Sequence, residues 1–434
     1  MMRRVVVALA GLCVLGRAGR AQGLREQLTE LFHFGSCSRL VCLDTATLGQ
    51  GHGFHFIPAA ESSGGTLVSF LGSAIGISVS NTPITSASSG TTFRFEGGAP
   101  VRTSTSAGPV FAERAQTLGR GRWFMGVELT QMNFTRLRGV PLDRLTFNFT
   151  HSDVSPGNRN PNDTLGSPAF EDDVVQVNVN LNASLMVAAL SMSYGLADGV
   201  DVGLTVPFVR TSISGTSLAQ IIPGEDSVVH YFGITPSGDT LLTSSSSMSG
   251  SSTGLGDVEG RIKFNVAQTE RLGVAVLGTF RFPTGDEENL LGAGRFSGRG
   301  LAVLSGRFGT FNPHLNFGFT VRDAPNQNNS VDVNLGYDAL LAPWATMAFD
   351  VLSTWQTGAS KLKIPPPTHY DLPVARDLAL TNIPPQRDDY LGMAVGFKFR
   401  TQRGIQIVAN TLFPLRNSGL QAGVIWTGGL EYSF

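Results

Sequence analysis

The chain has 434 residues, 41% hydrophobic and 15% charged, and its 32 basic and 33 acidic side chains leave a formal net charge of −1. With four lysines in all (Lys263, Lys361, Lys363, Lys398), it carries no basic stripe of the kind that binds nucleic acid. Beyond residue 21 no apolar stretch approaches the roughly twenty residues of a membrane-spanning helix, but a β-barrel needs only about ten alternating residues per strand and stays open.

Residues 1–21 read as an export signal. Arg3 and Arg4 precede the apolar run Val5 to Leu15, and small residues follow up to Ala21. Removing them takes away four arginines and no acid, leaving a net charge of about −5. Cys13 goes with the signal. Cys37 and Cys42 remain, close together in an exported chain, where a small-loop disulfide is favoured over a metal site or free thiols.

Residues 22–90 do not alternate as strands do. Leu24, Leu28, Leu31 and Phe32 fall at helical spacing beside Glu26, Gln27 and Glu30, so a short amphipathic helix is expected, followed by Phe34, Phe54 and Phe56. A second apolar stretch, Leu67 to Ile77 with Phe70 at its centre, is too short to span a bilayer and needs a buried home. These residues are expected to form a plug or hatch containing short helices, the alternative being a periplasmic extension packed on itself. His52 and His55 lack further ligands at recognisable spacing, so no metal and no cofactor is expected.

From residue 91 to 434 the pattern changes to a period of two. Val175, Val177, Val179, Leu181, Ala183 and Leu185 alternate with Gln176, Asn178, Asn180, Asn182 and Ser184. From Val258 to Val266, Val258, Ile262, Phe264 and Val266 oppose Glu259, Arg261, Lys263 and Asn265; further on, Leu315, Phe317 and Phe319 oppose His314 and Asn316, while Val331 and Val333 oppose Asp332. So many charges would be costly in a sandwich core. They suit a face that lines water while the apolar face meets outer-membrane lipid. Glu259, Arg261, Lys263, His314, Asn316 and Asp332 are therefore expected to line a lumen.

About fourteen strands can be drawn, beginning near residues 91–96, 122–136 and 141–150, in an all-β antiparallel transmembrane barrel. Short turns alternate with long connections, which places both barrel ends on the periplasmic side of the outer membrane of a Gram-negative-type bacterium. The last strand puts Trp426, Leu430, Tyr432 and Phe434 on one face, and its aromatic end resembles the signal read by the barrel assembly machinery. Two connections are long enough to shape a mouth. The one at 214–254 carries Tyr231 and Phe232 and a serine run, and the one at 357–388 is rich in proline. Pro207 should kink or bulge its strand.

Between residues 254 and 318 the chain resembles the outer-membrane family named for the meta-pathway of phenol degradation. The matching residues are Gly254-Leu255-Gly256-Asp257-Val258 with Lys263-Phe264, Arg281-Phe282-Pro283-Thr284-Gly285-Asp286 and Leu291-Gly292-Ala293-Gly294. That family looks related to transporters of long-chain fatty acids and aromatic hydrocarbons, which are fourteen-stranded barrels closed by an N-terminal hatch. Their Asn-Pro-Ala hatch motif is replaced here by Ile57-Pro58-Ala59.

The resemblance implies uptake of a small hydrophobic or aromatic solute through a gated barrel. Phe32, Phe34, Phe54, Phe56, Phe70, Tyr231 and Phe232 are the candidate ligand contacts. A general diffusion porin with a polar lumen is the alternative. An outer-membrane hydrolase is disfavoured, because no serine-centred elbow and no histidine–carboxylate pairing is legible.

Overall fold

The computed structural model describes residues 22–34, 41, 43, 65–80, 93–96, 99–102, 106–150, 173–224, 230–370 and 375–434. The export signal, Cys37, Cys42, His52, His55, Phe54 and Phe56 lie outside them.

Alternating side chains make two-faced strands, and here each strand pairs antiparallel with its chain neighbours. The order is β1 (Trp123–Leu137, resumed at Leu145–Phe149), β2 (Val174–Ala197), β3 (Val200–Ile222) and β4 (Thr243–Leu255, resumed at Glu259–Gln268). Then come β5 (Leu272–Arg281), β6 (Ser297–Gly306), β7 (Phe311–Arg322), β8 (Ser330–Ala342), β9 (Ala345–Gln356), β10 (Tyr390–Arg400), β11 (Gln406–Pro414) and β12 (Leu420–Ser433). β12 pairs with β1 and β1 with β2, so the sheet closes on itself.

Among the described residues the barrel therefore has twelve strands, two fewer than the alternation suggests, and it begins at Trp123 rather than near residue 91. Phe93–Glu96 pairs only with Ala99–Arg102, in a separate hairpin. The segments at 123–137 and 145–149 run along the same neighbour: Trp123 to Phe134 face Tyr194 to Ala183, and Leu145 to Phe149 face Val179 to Val175. An excursion at 138–144 separates two halves of one strand.

The connections alternate in length. One end has tight turns, such as Asp198-Gly199, where Gly199 takes φ +81°, a left-handed conformation suited to a two-residue hairpin. The other end carries the loops at 282–296, 323–329 and 357–389. Trp123 N donates to Phe434 O at 2.8 Å and Phe434 N to Trp123 O at 3.0 Å, so both barrel ends meet at the short-turn end.

The outer surface carries a belt of exposed large hydrophobics: Trp123, Met125, Val127 and Leu129 on β1, Leu315, Phe317 and Phe319 on β7, Trp426, Leu430 and Tyr432 on β12. In water such a belt would drive aggregation. In a bilayer it meets lipid, while the closed ladder satisfies the backbone. Among the described residues no helix is long and apolar enough to cross a membrane; the strands do the crossing.

The long strands β2 to β4 rise beyond this belt, and there the faces invert. Val175, Val177, Val179, Leu181 and Leu185 are buried on the inner face, whereas Asn178, Asn180 and Asn182 are exposed outside. The expectation that this apolar face meets lipid is thus corrected. Above the belt the exterior is water, and the inner face packs against the N-terminal segment.

Two other expectations change here. The serine run at 244–247 lies in β4, not in a loop, pairing with Leu218 to Thr216 and Ala219 on β3. Pro207 causes no bulge against β2, where it faces Ala189 in regular register. It sits where the other partner of β3 changes from Glu259, opposite Thr205, to Leu255, opposite Phe208. A residue without an N–H loses little at a place where the ladder is already interrupted.

Candidate functional site

The described N-terminal residues form α1 (Leu24–Gln27), continued as a 3₁₀ turn over Leu28–Phe32, and α2 (Gly65–Ser80). Leu24, Leu28, Leu31 and Phe32 are buried as their helical spacing demands. They pack at the loop end, against the inner faces of the rising strands. A Cβ at Gly215 would stand 3.3 Å from Leu31, and Ser246 Oγ donates to Glu30 O at 2.6 Å.

Phe32 meets Phe147 and Phe149 edge-on, with centroids 5.3 and 6.0 Å apart, and Phe34 tilts against Phe232 at 5.9 Å. Phe70 lies under the Arg138 guanidinium at 5.0 Å, and Arg138 holds Asp388 through two hydrogen bonds of 2.7 and 2.9 Å. Tyr231 is buried in the 230–242 connection. These rings join the N-terminal segment to the wall and loops.

The three stretches that carry the family resemblance come together at the mouth. Asp257, at the break in β4, accepts from Gly285 N at 3.0 Å and from Ala293 N at 2.8 Å. Thr284 Oγ1 donates to Gly256 O at 2.6 Å and accepts from Val258 N at 2.9 Å. Side chains at Gly285 or Gly292 would collide, the first with the backbone of residues 291 and 292, the second with Asp257, which is why small residues are needed there.

The loop so folded reaches the N-terminal segment. Arg25 N donates to Glu288 O at 2.9 Å, and Arg25 Nη1 meets Glu287 Oε1 at 2.9 Å. Replacing Asp257 with alanine removes the acceptor of two loop N–H groups, at a cost of roughly 1–3 kcal/mol. Trypsin should then cut at Arg295 several-fold faster than in the wild type, while Asp257→Asn, which keeps an acceptor for one of the two N–H groups and turns its amide nitrogen to the other, should be cut at an intermediate rate.

At the short-turn end, residues 106–121 run along the inside of the barrel before β1 begins. This inner strap makes no strand ladder, so its buried N–H groups need other acceptors. The wall provides them. Ala107 N donates to Thr346 Oγ1 at 3.0 Å, Glu113 N to Asn316 Oδ1 at 2.7 Å, Ala115 N to Ser305 Oγ at 3.1 Å and Leu118 N to Asp201 Oδ2 at 2.9 Å. Asp350 Oδ2 alone accepts from Val110, Phe111 and Ala112, at 3.3, 2.9 and 3.3 Å, while its other oxygen accepts a hydrogen bond from His314 Nε2 at 2.6 Å.

Charged side chains hold the strap as well. Arg261 grips Glu113 through bonds of 2.9 and 3.0 Å, and Lys263 donates to Arg114 O at 3.0 Å and lies 2.9 Å from Glu113 Oε2. Arg114 pairs in turn with Asp338, to which Ser106 and Asn312 also donate. Buried charges on this scale persist because each finds partners.

Between strap and N-terminal segment lies a chamber of about 320 Å³. Ala74 and Ile77 of α2 border it at one end and Phe111 of the strap at the other. Of the residues expected in a lumen, Glu259 and Asp332 border the chamber, whereas Arg261, Lys263 and Asn316 are engaged with the strap and His314 with Asp350, the wall residue that holds it. None of Phe32, Phe34, Phe70, Tyr231 and Phe232 borders it.

Sequence reasoning missed the strap, whose Ser-Ala-Gly-Pro-Val-Phe-Ala-Glu-Arg stretch shows no period. It also missed Arg281, Arg299 and Arg322, which end or interrupt alternating strands. The signal available was the unexplained supply of acceptors on inward strand faces, at Asp201, Asp338 and Asp350.

No family model and no curated protein matches the chain, so the resemblance over residues 254–318 stands on its residues alone. Solved structures similar to it include an outer membrane channel from Pseudomonas putida F1, at 12% identity over 73% of this chain and 97% of that one, with a TM-score of 0.43. A FadL homologue of Pseudomonas aeruginosa follows at 12% identity over 72% and 89%, TM-score 0.31. A deletion mutant of the TodX monoaromatic hydrocarbon channel shows 10% identity over 72% and 89%, TM-score 0.32. Likenesses this distant carry no argument about function, which has to come from the lumen itself.

Proposed function

We propose that the chain is an outer-membrane channel for small hydrophobic or aromatic compounds, with a lumen closed by an N-terminal hatch formed by residues 22–34 and 65–80. The observation that carries this reading is the chamber. It is apolar on one side and polar on the other, and is bounded by α2 on the loop side and by the strap on the other. A water-filled diffusion pore has no use for two barriers in series, nor for Met132, Phe134, Leu352 and Ile425 along its path. In this reading a solute is collected at the loop end, held in the chamber and released when the hatch or the strap moves.

Conductance in planar bilayers tests it. The intact protein should show small or rare openings. Deleting residues 24–90 should raise conductance only modestly, because the strap remains. Deleting 24–121 should raise it several-fold further. A large, steady conductance in the intact protein would refute the hatch and favour the diffusion porin.

A further inference from the structure

The chamber is asymmetric in a way that a channel for neutral hydrocarbons does not require. On one side stand Arg281, Arg299 and Arg322, from the neighbouring strands β5, β6 and β7. Ser297 lies opposite Arg281 on one side and Arg322 on the other, and Arg299 lies opposite Thr279 and Thr320, so the three guanidinium groups fall within a single patch of wall. All three are only partly buried and open to the chamber.

The carboxylates beside them do not balance the patch. Glu259 Oε2 meets Arg281 Nη2 at 3.3 Å. Asp332 lies 3.5 Å from Arg299 Nε while also accepting from Thr320 at 2.6 Å and Thr354 at 2.9 Å. Arg322 donates to Asn328 O and Ser330 Oγ, both uncharged, at 2.9 Å. Asp388, the other acid on the border, is committed to Arg138. Among the described residues three cations thus face two anions, leaving one positive charge over.

The unused hydrogen-bonding capacity has the same sense. Tyr390 Oη and Gln421 Nε2 are buried on the chamber's border without a hydrogen-bond partner among the described residues. A phenolic hydroxyl can donate, and an amide nitrogen can do nothing else. A chamber with surplus donors and one surplus positive charge is complementary to an acceptor carrying one negative charge. Across from the patch, Met132, Phe134 and Ile425, with Phe111 of the strap, offer an apolar and partly aromatic surface.

We propose that the chamber recognises an aromatic monocarboxylate, its carboxylate on Arg281, Arg299 and Arg322 and its ring against Phe111 and Phe134. The proposal rests on the channel reading above and adds the class of solute. A planar guanidinium matches a carboxylate in two-point geometry, and an aromatic ring fits a cavity at the small end of the range for bound organic molecules.

The test is calorimetric titration of the full-length protein in detergent with three probes of one shape: sodium benzoate, benzyl alcohol and benzylammonium chloride. Benzoate should bind about tenfold or more tighter than benzyl alcohol, the scale of a charge-assisted hydrogen bond, and benzylammonium weakest of the three. The double substitution Arg299→Gln, Arg322→Gln should bring benzoate down to the affinity of benzyl alcohol and leave benzyl alcohol unchanged. Equal binding of benzoate and benzyl alcohol by the wild-type protein would overturn the anion site, and so would binding of none of the three. The channel reading is judged separately, by the conductance of the truncated forms, and survives either result. Because the decisive comparison is between probes on the unmodified protein, a variant that fails to fold does not blunt it.

Discussion

Asp350→Ala should open the short-turn end of the lumen. The side chain is fully buried on β9 and accepts from the N–H groups of Val110, Phe111 and Ala112 and from His314 Nε2. Alanine leaves three strap donors and one ring nitrogen without that acceptor. Each buried donor so orphaned costs about 1–3 kcal/mol, and the strap can recover most of it by leaving the wall for water. The barrel should survive, because its closure depends on the ladders among twelve strands and not on the strap.

The expected result is a several-fold rise in single-channel conductance with heat-modifiable migration on gels unchanged. Asp350→Asn keeps one acceptor oxygen and should give a smaller rise. If the alanine variant folds and its conductance matches the wild type, Asp350 is not what holds the strap. Since Phe111 borders the chamber, the same release should also enlarge it from below.

How much of this was legible beforehand depends on how local each signal is. The dyads at Glu259–Val266 and Leu315–Phe319 mark two-faced strands wherever the chain goes, because a period of two is a property of the backbone. The same dyad at Val175–Leu185 announces a strand but not which side faces inward. That depends on whether the strand lies within the lipid belt or above it, which only the assembled barrel decides. Strand number failed for a similar reason. The excursion at 138–144 looks like a hairpin turn in sequence, and only the pairing of Leu145 with Val179, on the strand that already faces Phe134, shows one position broken in two.

The strap was illegible because the hydrogen bonds that fasten it to the wall are long-range. The acceptor for Phe111 lies 239 residues away and the one for Leu118 lies 83 away, and no local period records either. The chamber's cations are hidden in the same manner. Arg281, Arg299 and Arg322 are 18 and 23 residues apart along the chain and become neighbours only through strand register. What the sequence does carry is the local logic of the mouth. Asp257, Gly285 and Gly292 belong to the stretches that prompted the family resemblance, and they meet in one knot of hydrogen bonds and close contacts.

Lys398→Met should destabilise the barrel more than any surface change. Lys398 on β10 and Glu431 on β12 reach each other over the intervening β11, at 3.2 and 3.4 Å, with side chains 0% and 1% exposed. Methionine fills the volume but leaves the Glu431 carboxylate buried without that cation, and breaking such a pair from one side costs about 3–5 kcal/mol. In detergent, the temperature at which the protein loses its fast-migrating folded form should fall well below that of the wild type. Adding Glu431→Gln to Lys398→Met should recover most of the loss, because a neutral amide needs no counter-charge, and the pairwise term then follows from the cycle. A single variant as stable as the wild type would mean that water reaches Glu431 in the folded barrel. The pair would then be a lumen contact and not part of what holds β10, β11 and β12 in register.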